Sequence, residues 1–182
     1  MPALRCHSPR NAGFTLLEAV AALTILALIT GIGVPAFGKY LRWYRVQNEA
    51  QALVWALQFA RSEAIKRNTR VNVCKSADRI SCSKDGGFDA GWLIYADPGG
   101  IGQPDADDPP LRIEPAAPDG ITIHGNKPVA DLVSYTAYGH PRLLGGGLQM
   151  GTFTLCRPGV DAIHVVLANS GRVRIESTAD PC

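Results

Sequence analysis

The chain has 182 residues, 46% of them hydrophobic and 19% charged, enough for one moderate globular domain and an additional element. Its formal net charge of +2 is matched by Arg5 and Arg10, the charged residues that precede Gly13, so the remainder is formally neutral. A neutral remainder excludes the general charge-driven affinity for nucleic acid that a strongly basic protein has.

Charge is unevenly placed along that remainder. Lys39 to Lys84 is basic, with Glu49, Glu63 and Asp78 as its acids; Asp85 to Asp119 is acidic, with Arg112 as its one base. A basic stem and an acidic loop region suit subunit contacts of opposite sign, and a solvated surface explains them equally well.

The first element is the run Phe14 to Val34, almost entirely Ala, Leu, Ile, Val, Gly and Thr, with Glu18 as its single charge. About 20 apolar residues in a helix span a bilayer core of about 30 Å. The run is apolar on every side, which argues against an amphipathic core helix. A secretory signal cut near Val34-Pro35-Ala36 is the rival, but such signals have cores of about 7–15 residues and no acid within them. Arg5 and Arg10 before the run and Lys39, Arg42 and Arg45 after it leave its orientation undecided by charge. A carboxylate in such a helix costs about 2.5–3.5 kcal/mol, so Glu18 calls for a function and a partner.

Gly13-Phe14-Thr15-Leu16-Leu17-Glu18, after a short basic leader, resembles the type III signal of type IV pilins and type II secretion pseudopilins. The resemblance implies that a prepilin peptidase cuts between Gly13 and Phe14 and that Phe14 is then N-methylated. It also implies that Glu18 acts in assembly, meeting the amino terminus of a neighbouring subunit. The new α-amino group is cationic at neutral pH. Within one chain, Glu18 sits at a helix start, where the dipole favours an anion.

Next, Pro35 removes a backbone donor and is expected to kink or end the first helical segment. Family resemblance implies one long bent helix to about Asn68. In its second half Val46, Ala50, Leu53, Leu57, Ala60 and Ala64 recur at three–four spacing and form one apolar stripe, with Arg42, Arg45, Arg61 and Arg67 largely off it. This stripe is expected to pack on the globular domain.

After Asn68 the pattern becomes strand-like. Short β-branched or aromatic pieces bounded by Gly, Pro, Asn or Asp fall at Val71–Cys74, Trp92–Tyr95, Leu111–Ile113, Ile121–His124, Leu132–Tyr135, Thr152–Cys156, Ala162–Leu167 and Arg172–Ile175. The fold class is therefore α+β, an antiparallel sheet or sandwich domain on a helical stem. Gly91-Trp92-Leu93-Ile94-Tyr95, an Asp/Gly/Pro loop and Leu111-Arg112 together resemble the FimT/GspH branch of minor pilins and pseudopilins.

Cys6 lies in the leader, which leaves Cys74, Cys82, Cys156 and Cys182. Four cysteines allow three connectivities. Cys74–Cys82, closing a short loop, and Cys156–Cys182, pinning the tail, are favoured; four buried thiols are the alternative. Disulfides place the bulk of the chain in an oxidising compartment.

Asp97, Gly102, Asp105 and Asp108 fall at positions one, six, nine and twelve of a would-be calcium loop. Gly99 and Ile101 cannot supply side-chain oxygens at positions three and five, so an acidic solvated loop is the expectation and no metal is assigned. His124, His140 and His164 have no metal or triad spacing. No nucleophile elbow, paired carboxylates or phosphate loop suggests an enzyme, and no cofactor is implied.

Ser170-Gly171-Arg172-Val173-Arg174 is the remaining polar feature. On a strand Arg172 and Arg174 face the same way and suit bidentate phosphate contacts. The Gly-Arg-x-Arg pattern resembles one that helps FimT pilins of naturally transformable bacteria bind extracellular DNA. Glu176 shares that face and could instead pair with Arg174 in a surface ladder.

The sequence thus divides into a cleaved leader (1–13), a membrane and assembly helix (14–35), its continuation (36–68) and a β-rich domain (69–182). The resemblance implies a minor pilin subunit that primes a type IV pilus, with DNA uptake as an additional role. A minor pseudopilin of type II secretion is the alternative. Expected partners are other major and minor pilins or pseudopilins, the prepilin peptidase, the inner membrane and extracellular DNA. The expected location is the bacterial inner membrane, single-pass, with the globular domain in the periplasm, and then the pilus or pseudopilus.

Overall fold

The computed structural model describes residues 13–104 and 110–182. It divides into two units, the first ending at Gly38 and the second running from Lys39 to Cys182.

One helix, α1 (Leu16–Arg67), belongs to both units. It continues through Pro35 rather than ending there. Proline removes one donor from the ladder, and the helical residues on both sides keep the element going. In the first unit the apolar side chains are exposed: Leu16, Leu17, Leu23, Leu26, Leu28 and Ile29 are each more than half accessible. The hydroxyls of Thr24 and Thr30 donate to the carbonyls of Val20 and Leu26, both at 2.8 Å, so neither is left without a partner on an otherwise apolar surface. Among the described residues this is the one helix long and apolar enough to cross a membrane.

In the second unit the same helix becomes amphipathic. Val46, Ala50, Leu53, Leu57, Ala60 and Ala64 are fully buried. Arg42, Arg45 and Arg67 are exposed, and Arg61 is half-buried. The helix ends at Asn68, which takes φ 50°. Asn68 N–H donates to Ile65 O and Thr69 N–H to Ala64 O, both at 3.2 Å. This double closure of the last carbonyls requires a left-handed residue, a conformation that Asn tolerates better than most. Glu63 is clamped by Arg67 at 2.6 Å and Lys66 at 3.5 Å, and the Arg67 hydrogen bond holds its carboxyl below the usual range.

Eight strands follow: β1 (Val71–Lys75), β2 (Trp92–Ala96), β3 (Arg112–Glu114), β4 (Thr122–Gly125), β5 (Leu132–Tyr135), β6 (Gly151–Cys156), β7 (Asp161–Leu167) and β8 (Val173–Pro181). They form two four-stranded antiparallel sheets, in the orders β3-β2-β1-β5 and β4-β6-β7-β8. Val71, Val73, Trp92, Ile94, Phe153, Leu155, Ile163 and Val165 share one core with the buried helix stripe. A one-turn 3-10 helix, Phe88–Ala90, feeds Phe88 into that core, edge-on to Phe153 at 5.1 Å.

β1 is buried along its whole length because both faces are covered. Val71 and Val73 face the main core, while Cys74 joins Leu93 and Tyr95 in a second, smaller cluster. That cluster is roofed by the loop after β1. Cys74 is bonded to Cys82, and the buried Lys75 Nζ donates to Lys84 O at 2.9 Å and Gly86 O at 3.0 Å and pairs with Asp131 at 2.9 Å. Burial pushes the Tyr95 hydroxyl up to about 12, against the lowering effect of its hydrogen bond from Asn72.

The last strand differs from its expected extent. It starts at Val173 rather than Arg172 and runs to Pro181 rather than Ile175. Ser177, Thr178, Ala179 and Asp180 carry no apolar alternation, so nothing in the pattern marks them as a strand. They are held by pairing with β7 and by the bond between Cys182 and Cys156.

Candidate functional site

Two places carry the residues singled out above, one in each unit. At the start of α1, Thr15 is the cap. Its hydroxyl accepts from Glu18 N–H at 3.3 Å, while Glu18 Oε2 lies 3.5 Å from Thr15 N–H and 3.4 Å from the Thr15 hydroxyl. Thr15-Leu16-Leu17-Glu18 is thus a reciprocal capping box, satisfying free N–H groups of the first turn from both ends. Its signal in the sequence is Thr followed three residues later by Glu. Gly13 and Phe14 precede the helix, and Phe14 is exposed. Residues 1–12, expected to belong to a leader, lie outside the described residues.

The second place is the β7–β8 hairpin. Ala168 N–H donates to Arg172 O, and Gly171 N–H donates to Ala168 O, both at 2.9 Å. Gly171 has φ 81°. These are the features of a three-residue hairpin loop with a glycine bulge. A Cβ on Gly171 would meet Gly139 O at 2.6 Å, so both backbone conformation and space demand glycine here. Arg61 Nη1 of α1 donates to Gly171 O at 3.3 Å and holds the turn to the helix.

Arg172, Arg174 and Glu176 are exposed on one face, while Val173 and Ile175 pack against the core. Arg174 Nε donates to Glu176 Oε1 at 2.6 Å, so this arginine has a partner in its own strand. Arg172 has no ion pair among the described residues. It lines a groove of about 350 Å³ with Gln58, Arg61, Ser62 and Ile65. Sequence reasoning missed Arg61 here because its proximity to Gly171 is tertiary.

Asp97 does not behave as a free calcium ligand. Its carboxylate accepts from Asn72 Nδ2 at 2.6 Å, Ile101 N–H at 2.8 Å and Gly102 N–H at 2.9 Å, closing the turn after β2. Asp105 and Asp108 lie outside the described residues. Among the described residues no cluster of His, Cys, Asp and Glu is arranged for a metal.

A family model described as "Type II transport protein GspH" matches residues 49–172, and one for the prokaryotic N-terminal methylation motif matches residues 8–34. The chain belongs to the GspH family. Comparison with curated protein sequences gives no match. Among solved structures, the chain is similar to the type IV minor pilin FimU of Pseudomonas aeruginosa, with 20% identity, a TM-score of 0.59, and coverage of 78% of this chain and 98% of that one. It is also similar to the minor pseudopilin EpsH from the type 2 secretion system of Vibrio cholerae, with 12% identity, a TM-score of 0.50, and coverage of 75% and 99%. Identities this low establish a shared fold, a long helix packed on antiparallel sheets. As a GspH-family chain with a methylation motif, the protein is a minor pilin or pseudopilin of a type IV pilus or type II secretion machinery, a structural family whose members assemble with other pilins.

Proposed function

We propose that the chain is a minor pilin that primes or caps a type IV pilus, matured by cleavage between Gly13 and Phe14 and methylation of Phe14. The carrying observation is the start of α1, where an exposed apolar helix opens on the Thr15–Glu18 box. On this reading 14–35 anchors the chain in the inner membrane and the globular domain stands in the periplasm, where its disulfides persist. Glu18, one turn from the new ammonium of Phe14, meets the amino terminus of a neighbouring subunit during assembly. Glu18→Ala is expected to be processed by the peptidase and retained in the membrane, yet to enter filaments poorly. Sheared filaments that contain the mutant at the normal level refute the pairing.

A minor pseudopilin of type II secretion is the second reading, favoured by the description of the family model and by the likeness to EpsH. The paired cysteines and the Gly-Arg-x-Arg hairpin favour the pilus. A deletion strain scored for twitching, transformation and protein secretion separates them: loss of secretion alone overturns the pilus.

DNA binding at the β7–β8 hairpin is a further role of the same subunit. Arg172, free of ion pairs among the described residues and beside Arg61, favours it. The Arg174–Glu176 pair reduces what Arg174 can offer a phosphate.

A further inference from the structure

We propose that Lys39 to Arg45 of α1 form a seat on the bilayer surface, in which Tyr40, Trp43 and Tyr44 lie among the lipid headgroups and Lys39, Arg42 and Arg45 hold acidic phospholipids. The inference rests on the membrane-anchored reading given above. Spacings of three and four put the three aromatic residues on one side of the helix. The Tyr40 ring centre lies 6.1 Å from that of Trp43 and 6.3 Å from that of Tyr44, so the rings form one cluster. The globular domain leaves it largely uncovered: Tyr40 is 55% accessible, Tyr44 48% and Trp43 38%. Rings with an apolar body and a polar tip are enriched where hydrocarbon meets water, because one end is satisfied on each side.

The three cations recur at intervals of three and pass round the helix beside the rings. All three are exposed. Among the described residues none has a carboxylate within ion-pair distance. A Cβ on Gly159 would stand 3.8 Å from Arg42 Nε, so this guanidinium lies against the turn between β6 and β7. Long stems let such side chains rest on apolar surface while their charge reaches a phosphate. Exposed rings beside unpaired cations match a surface that is apolar beneath and anionic on top, which is what a leaflet containing acidic phospholipid presents.

Length fits as well. Between Glu18 and Lys39 the sequence is uncharged. Residues 19–38 are therefore about the number that a helix needs to cross about 30 Å of hydrocarbon. The headgroup layer beyond is about 5–7 Å deep on each side. Lys39 to Arg45 rise about 9 Å along a helix, and tilt shortens that depth. With the seat at one surface, Glu18 arrives at the opposite edge of the hydrocarbon rather than within it. The anchor is thus set in depth, and the Gly13–Phe14 bond is presented at a fixed level of the far surface.

Tryptophan quenching tests the seat with the full chain in vesicles of phosphatidylcholine and phosphatidylglycerol, brominated near the headgroup or near the chain ends. The signal of Trp43 is the difference between the unaltered chain and Trp43→Phe. It is expected to be quenched about twofold more by bromine near the headgroup. Brominated phosphatidylglycerol is expected to reach it about fivefold more readily than brominated phosphatidylcholine. That preference should vanish when Lys39→Gln, Arg42→Gln and Arg45→Gln are combined. A chain that fails to float with the vesicles overturns the anchored reading and the seat with it. A chain that floats with Trp43 quenched equally at both depths, without preference for the acidic lipid, or with that preference intact in the triple variant, overturns the seat alone. Trp43 shielded from both lipids and from aqueous acrylamide assigns the face to another protein subunit and likewise overturns the seat.

Discussion

Gly171 shows how much one residue can be asked to satisfy. Its φ of 81° lies where side chains are strained, and a Cβ would press on Gly139 O at 2.6 Å. Gly171→Ala is therefore expected to cost about 1–3 kcal/mol, measured by denaturant unfolding, where Asn169→Ala in the same turn stays within about 0.5 kcal/mol. Tyr95 makes a pH-dependent demand. Its hydroxyl has an ordinary value of 10.0 and is pushed up to about 12 by burial, so the fold favours the neutral phenol. The associated stability is complete below pH 10.0 and lost as pH rises toward about 12. Tyr135 is shifted in the same direction by burial. Tyr95→Phe should flatten, without abolishing, the alkaline loss of stability followed by circular dichroism.

At the scale of elements, β8 depends most on covalent help. Its outer half is exposed and polar, and Cys182 is tied to Cys156 at its end. Cys156→Ser with Cys182→Ser is expected to cost about 3 kcal/mol and to open the residues after Ser177 to protease. A tail equally resistant with and without the bond overturns this. The same strand marks the limit of what the sequence disclosed. The helix stripe was legible because one-sided burial imposes a helical period on apolar residues, and the eight β segments because short β-branched or aromatic runs are bounded by turn residues. The end of β8 was not, because a disulfide and a neighbouring strand hold it rather than its own burial. The capping box is legible as Thr15 and Glu18 at the right spacing. The contact of Arg61 with Gly171 joins residues 110 apart in sequence, and no local pattern encodes it.

For the whole molecule, the formal neutrality of the residues after Gly13 means that any binding of nucleic acid must be local. On the DNA-binding reading contact is through phosphates, so retention in a gel should weaken with salt and show no sequence preference. Arg172→Ala is expected to reduce affinity more than Arg174→Ala, and to lower the salt slope by about one. Retention that ignores salt, or that survives both substitutions together, overturns the reading. Family membership and fold come from features spread over most of the chain, the methylation motif at one end and the GspH match over 49–172. The more particular roles rest on single side chains, and that difference in breadth is why the two differ in legibility.

The hairpin allows a finer accounting of choice. Within Gly-Arg-Val-Arg, the turn dictates the first letter, the core claims the third, and Glu176 engages the fourth. Three of the four are answered by the protein's own architecture, and only Arg172 carries a side chain for which the described fold has no evident use. A search for this motif in other chains therefore mostly detects a way of turning a strand. On the DNA-binding reading, what the motif says about an outside partner is compressed into one guanidinium.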